Sequence, residues 1–363
     1  MKKVLIIGPF PNPISGVSLA NKVVKEILDK SDDFKTEYIN TSYPIFEDAV
    51  GSFSLHKLFF FLRLNFKSLK ILKTDIVYIT PGQTFFGVTK YTLFILLAFL
   101  LKKELIIHVH GNYLGQQYKE LTGVKKKIFY FLFSKFTKGI VLSESLKLNL
   151  TPFIPLEKIH ILYNFAEDYL LEKSNKEHPD TLKICYLSNL MEEKGITYLL
   201  ESLNELEKRN ISYTAKIAGN IDKVLEKEIL AKIKNLKNTT YLGVVYKEEK
   251  RNLLEWSTIF VLPTFYKMEG QPIAILEALA TGNVIITTNH AGIPDIIKDK
   301  INGSIIDKKS KEGVLDAIIY YSENKSKILE ISKRNKMYFA QNFTLKKFSL
   351  KLIEILNESK TIK

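Results

Sequence analysis

The 363-residue chain has a single cysteine, Cys185, set in the apolar run Ile184-Cys185-Tyr186-Leu187. No intrachain disulfide is possible, and this usage fits a reducing, cytoplasmic compartment with Cys185 as a buried strand residue. No apolar stretch is long enough to span a bilayer. The longest, 91–101, is about half of what a membrane helix needs. The amino terminus, Met-Lys-Lys-Val-Leu-Ile-Ile-Gly-Pro, has too short an apolar run for a signal peptide and reads as a first strand. GxGxxG is missing from the turn that follows, which offers only Gly16 before a helix at 19–28. That lone glycine lets a ligand approach the backbone, a weak signal by itself. There is no Asp-x-Asp in a loop and no His/Cys cluster at ligand spacing, so no metal is expected.

Acid is also scarce over part of the chain. The net charge is +14, and 49–142 holds fourteen Lys/Arg against three acids (Asp75, Glu104, Glu120), a balance of +11. Basic residues here are interleaved with Phe and Leu, as in Leu58-Phe59-Phe60-Phe61-Leu62-Arg63 and in 125–133. This mixture suits an anionic membrane surface. Two core-facing helices with solvated lysines would read the same way. Nucleic acid is the weakest reading, because no recognised module accompanies the charge.

What is present is alternation. Apolar strand patterns at 4–8, 37–39, 75–80, 104–110, 139–142 and 158–162 are separated by helical patterns that include 58–72, 89–101 and 124–136. A polar stretch, 167–181, reads as a linker. The pattern then restarts at 183–187 and continues through 214–218, 240–242, 259–262 and 284–287, with helices at 196–208, 224–233, 248–256, 273–280, 311–322 and 345–356. Strands alternating with helices argue for parallel sheets. The expected fold class is α/β, with two doubly wound units and a ligand cleft between them.

The chain is organised around 258–296, which contains Glu269-Gly270-Gln271-Pro272 followed by Ile273-Ala274-Ile275-Leu276-Glu277. An apolar strand ends at Pro263, and a helix starts near Pro272, whose missing N–H costs nothing in a first turn. The turn therefore sits where free amides and the helix dipole favour an anion. Glu269 and Glu277 can hold two ends of one elongated ligand. Glu277 has Ile273 and Ala280 as its helical neighbours. A carboxylate on such an apolar face needs a polar partner.

In order along the chain, several motifs resemble those of glycosyltransferase family 4, retaining enzymes of the GT-B fold. Ser188 to Gly195 resembles the family's loop ending in Lys-Gly. Ala218-Gly219, Tyr241-Leu242-Gly243, the paired glutamates, Ala291-Gly292-Ile293-Pro294-Asp295 and Asn302-Gly303 follow in sequence. Gly16, His110-Gly111, Ser143-Glu144 and Tyr163-Asn164 stand where the family has equivalents in the first half. The resemblance implies two Rossmann-like domains facing each other across a cleft. These would be an acceptor-side, membrane-proximal domain (1–166), a linker (167–181), a nucleotide-sugar domain (182–340) and a last helix (341–363) packing back on the first domain.

By the same resemblance, the protein moves a sugar from a nucleoside-diphosphate sugar to a glycan or lipid-linked glycan, with retention, in bacterial surface polysaccharide synthesis. The implied catalytic residues are Glu269, near the donor sugar, His110, and Lys194, which faces the diphosphate. Gly16, Asn189, Gly270, Gln271, Pro272, Ile273 and Glu277 would complete the donor site, with Glu277 on the ribose hydroxyls. Asn189 departs from the pattern, because many members carry an arginine there as a second diphosphate cation. No cofactor is implied, since the nucleotide sugar is a substrate. The expected location is the inner face of the cell membrane. A nucleotide-sugar epimerase and a non-catalytic nucleotide-sugar-binding protein are the alternatives.

Overall fold

The computed structural model describes residues 1–12, 15–43, 60, 63–171 and 181–358. Most of the basic stretch 58–63 and most of the linker lie outside these residues. The chain divides into two compact units, Met1–Tyr163 with Phe348–Lys363, and Asn164–Lys347.

The first unit holds one parallel sheet built from β1 (Lys2–Gly8), β2 (Phe34–Asn40), β3 (Ile76–Ile79), β4 (Glu104–Val109), β5 (Lys138–Val141) and β6 (Ile159–Ile161), in the order β2-β1-β3-β4-β5-β6. β3, β4 and β5 are buried along their whole length. That is why they read as continuous apolar runs rather than alternating ones, since helices cover both faces of a parallel sheet. The chain passes from β1 to β2 on one side and then to β3 on the other. The carboxyl ends of β1 and β3 thus mark a switch point, where open α/β sheets bind ligands.

The second unit repeats the plan with β7 (Leu182–Leu187), β8 (Tyr213–Ala218), β9 (Thr239–Tyr241), β10 (Ile259–Leu262), β11 (Val284–Thr288) and β12 (Gly303–Ile306), in the order β12-β11-β10-β7-β8-β9. Its switch point lies between β7 and β10, which pair in parallel through Ile259 and Ile184. The fold class expected from the alternation is the one observed.

Some elements were not anticipated. The helix Lys325–Asn342 fills the gap between the two carboxy-terminal helical patterns, and its apolar stripe (Ile328, Ile331, Phe339) is interrupted by the buried polar residues Ser332 and Asn335. Asn335 is buried because it donates to the carbonyls of Asn283 and Asn302. The strand β12 follows Asn302-Gly303 and pairs with β11. The last helix, Leu345–Asn357, runs from one unit into the other, and its buried residues include Phe348, Leu352 and Ile355.

Candidate active site

In the second unit, the loops after β7 and β10 meet at the switch point. Gly195, at the end of the first loop, has φ +83°, and a Cβ there would stand 2.4 Å from the Pro263 carbonyl oxygen. Only glycine tolerates both the left-handed backbone and that approach. The loops are stitched by the Phe265 N–H, which donates to the Glu193 carbonyl at 2.8 Å. Tyr186, buried in β7, holds the first loop from below, its hydroxyl donating to the Asn189 carbonyl at 3.0 Å.

This arrangement brings Lys194 and Glu269 together. The Lys194 ammonium donates to Glu269 Oε2 at 2.5 Å, and their side chains are 15% and 10% exposed. The Thr264 hydroxyl donates to the same oxygen at 3.3 Å. The ammonium also lies 5.0 Å from the centroid of the Tyr266 ring. Tyr266 is fixed in turn by His290, whose Nε2 is 2.8 Å from the Tyr266 carbonyl. Burial is the first reason the His290 ring is pushed below the ordinary histidine range. A buried cation held by one carboxylate and one aromatic face can be recruited by a more highly charged anion.

Gly270 and Gln271 continue the turn. The Gly270 carbonyl accepts from Gly292 N–H at 2.9 Å, which ties the turn to the Ala291-Gly292 loop after β11. Gln271 is clamped by Asn164: its Oε1 accepts from the Asn164 N–H at 2.6 Å and its carbonyl from Asn164 Nδ2 at 2.9 Å. Pro272 is the N-cap of the helix Ile273–Ala280, with φ −62° and ψ 118°. The extended ψ of Pro272 keeps it just outside the first turn. The first two amides of the helix, those of Ile273 and Ala274, have no intrahelical acceptor, while the Ile275 N–H donates to the Pro272 carbonyl at 3.1 Å. Glu277 is buried on this helix and ion-paired with Lys250 of the helix Lys247–Trp256. Asn189 is exposed on the β7 loop.

Gly16 and His110 belong to the first unit. Gly16 opens the helix Gly16–Asp29, whose start is fixed by a reciprocal capping pair, Ser15 and Ser18. A Cβ at Gly16 would meet nothing within 4 Å. Beside it, at the switch point of the sheet, is a cavity of about 350 Å3 lined by Pro9, Ser15, Val17, Thr41, Thr80 and Tyr91 among others.

His110 follows β4, its ring centroid 3.9 Å from that of His108 and tilted 39° to it. His108 is core, with Nδ1 2.5 Å from the Tyr78 hydroxyl. His110 Nε2 is buried and hydrogen-bonds nothing among the described residues. Burial pushes His110 down to about 4 and His108 well below its usual range. Both rings are therefore neutral at neutral pH.

The sign of the pH effect follows. For His110, the unfolded chain binds the proton near pH 6.5 and the folded chain only near pH 4, so its contribution to stability is full above about 6.5 and falls between the two. Lowering the pH from 7.5 to 5 is expected to cost about 2 kcal/mol through His110 alone. Urea midpoints at the two pH values check this, and His110→Asn should remove part of the difference.

Sequence reasoning did not find Lys250, Thr264 or Tyr266. Lys250 comes to Glu277 from another helix, and no spacing rule connects them. Thr264 and Tyr266 flank the glutamate motif, and only the loop conformation turns them inward.

Residues 170–338 match the model of the glycosyl transferases group 1 family. An uncharacterized glycosyltransferase of Methanocaldococcus jannaschii, MJ1069, is 24% identical over 342 residues, covering 88% of this chain and 85% of that protein. The amylovoran biosynthesis glycosyltransferase AmsK of Erwinia amylovora is 26% identical over 188 residues, or 49% of this chain, and the match spans only 45% of the relative. Among solved structures, that of Anabaena Alr3699/HepE in complex with UDP superposes with a TM-score of 0.76 at 14% identity, over 98% of this chain and 100% of the other, which speaks for the fold. The similarity to the glycosyl transferases group 1 family spans residues 170–338, less than half of the chain, and the α/β fold of the two units is shared with the superposed structure.

Proposed function

We propose that the protein is a retaining, hexosyl-type glycosyltransferase of family 4. It takes a nucleoside-diphosphate sugar as donor and a glycan or lipid-linked glycan as acceptor, in the synthesis of a bacterial surface polysaccharide. The observation that carries this reading is the Lys194–Glu269 pair at the mouth of the β10 turn, next to the first amides of the helix Ile273–Ala280. A departing diphosphate needs preorganised positive charge, and these groups supply it without water having to reorient. When the donor binds, its diphosphate draws Lys194 from Glu269. The freed carboxylate then faces the sugar, where positive charge develops in an oxocarbenium-like transition state. The amides of Gly16, Gln271 and Ile273 hold phosphate or sugar oxygens, Glu277 takes the ribose hydroxyls, and neutral His110 contacts the sugar or places the acceptor. Asn189 leaves the diphosphate with one cation fewer than the family pattern, so Lys194 and the backbone carry more of its charge. No metal is invoked. The relatives' names support the setting, one being assigned to amylovoran biosynthesis.

The acceptor side works at an anionic membrane surface in this reading. Large apolar side chains stand in solvent on neighbouring elements of the first unit: Phe66 80%, Phe86 72%, Leu100 72% and Val124 71% exposed. The Lys135 ammonium sits 4.6 Å and 4.3 Å from the Phe99 and Phe131 ring centroids, placing positive charge within this surface. Among the described residues no helix is long and apolar enough to cross a membrane.

A thermal-shift panel of nucleotide sugars tests the donor reading, since a ligand that binds only the folded state must raise the midpoint. One donor should stand out and should be consumed with transfer to an added acceptor. A product formed without acceptor by inversion of a sugar carbon would replace the transferase by an epimerase. Binding to vesicles containing anionic lipid should fall when Lys125, Lys126 and Lys127 are changed to Gln, and unchanged binding would remove the membrane from the proposal.

A further inference from the structure

Lys250 and Glu277 stand on different helices, Lys247–Trp256 and Ile273–Ala280, yet their side chains meet. The Lys250 ammonium donates to Glu277 Oε1, with 21% and 10% of the two side chains exposed. The other titratable groups facing the pair are Tyr169, in the turn Asp168–Leu171, and Glu167 just before it. Burial, the largest influence on Glu277, pushes its carboxyl up; the charge and hydrogen bond of Lys250 pull it back, and the Glu167 charge pushes it further up. Burial pushes Lys250 down, and Glu277 more than offsets this, so the ammonium keeps its proton. A carboxylate this dry takes up a proton unless a cation stays beside it. Protonated, it loses an acceptor and gains a donor, the wrong polarity for a hydroxyl that must itself donate.

We propose that Lys250 is a positioning residue for nucleotide recognition: it fixes one oxygen of Glu277, keeps the carboxylate ionised, and leaves the other oxygen to accept from the ribose hydroxyls of the donor. Oε2 of Glu277 makes no hydrogen bond among the described residues, which leaves it available for that task. The inference rests on the nucleotide-sugar reading above. It adds a residue outside the glutamate motif on which that motif depends.

The experiment compares UDP with 2′,3′-dideoxy-UDP by calorimetry on the wild type, Lys250→Met, Lys250→Gln and Lys250→Arg, each with a matching thermal melt. The wild type should prefer UDP. Lys250→Met should weaken UDP about tenfold, the usual worth of a lost charge-assisted contact, and leave the dideoxy ligand unchanged. Lys250→Arg should restore most of the preference. Raising the pH from 6.5 to 8.5 should recover part of it in Lys250→Met and change the wild type little. Lys250→Gln, which keeps a donor without charge, guards against a Met variant that does not fold. Equal loss of both ligands in the Met and Gln variants would make Lys250 merely structural and overturn the proposal, as would unchanged UDP binding. A wild type that binds UDP and the dideoxy ligand equally would sink the assignment of Glu277 to the ribose, and the role of Lys250 with it. If wild-type UDP binding itself is missing, the nucleotide reading fails first.

Discussion

Glu269→Gln is expected to lower kcat and kcat/KM together by about 10²–10³-fold, the range seen when one preorganised electrostatic group is removed from a transition state. Gln has nearly the same shape, and its amide oxygen can still accept from Lys194 and from the Thr264 hydroxyl that now reach Glu269 Oε2. The variant should therefore fold, with a stability loss of about 1 kcal/mol, the size of one hydrogen bond weakened by loss of charge. Donor binding should survive, because Lys194 no longer has to leave an ionic partner to meet the diphosphate. Transfer should not, because the carboxylate that balances positive charge on the sugar is gone. Glu269→Ala should be as inactive and less stable, since it strands a Lys194 ammonium whose side chain is only 15% exposed. Radiolabelled transfer with the best donor, measured beside a melt and a nucleotide-binding isotherm, separates these effects. Wild-type turnover in Glu269→Gln would remove Glu269 from the catalytic site.

The second large effect is on stability. Lys138→Met is expected to cost about 3 kcal/mol or more in the unfolding of the first unit. Lys138 opens β5, and its side chain and that of Glu104 are each 9% exposed, with Nζ 3.0 Å from Glu104 Oε1. The ammonium's hydrogens go elsewhere: Nζ donates to the carbonyls of Ile355 at 2.9 Å and Glu358 at 2.7 Å. Glu104 Oε1 is thus held by charge without an aligned hydrogen bond. Lys2 adds a third lysine contact, donating to the Leu356 carbonyl at 3.1 Å.

These are carbonyls at the end of the helix Leu345–Asn357, which have no intrahelical donor and carry the negative end of the dipole. Methionine fills the volume but strands a buried carboxylate and two carbonyls. Pairing it with Glu104→Gln should recover part of the loss. Denaturant midpoints of the single and double variants decide the matter. A single-variant change below about 1 kcal/mol would mean the pair contributes no more than a surface ion pair does.

The halves of the molecule differed in how much could be read from the chain. The strands β10 and β11 of the second sheet were legible because they are buried along their whole length, and such strands are apolar with little interruption, as in Ile259-Phe260-Val261-Leu262. The helix Lys325–Asn342 was missed for the opposite reason. Its contact face includes Ser332 and Asn335, which are buried by hydrogen bonding rather than by apolarity, so the helical stripe is broken. The strand β2 (Phe34–Asn40) was read as three residues because most of its side chains face solvent, and only its backbone pairing with β1 gives its length.

By itself the sequence determined the α/β class, the two repeated units, and the strand-to-helix turn that carries Glu269 and Glu277. These follow from local periodicity and from the chemistry of a glycine and a proline ahead of a helix. Only the tertiary structure decided what each glutamate touches. Glu269 has Lys194, because Gly195 lets the β7 loop close on Pro263. Glu277 has Lys250, because two helices distant in sequence pack side by side. Pairing between charges depends on which backbones approach, and that is fixed by the strand order of the sheet, which no local pattern encodes.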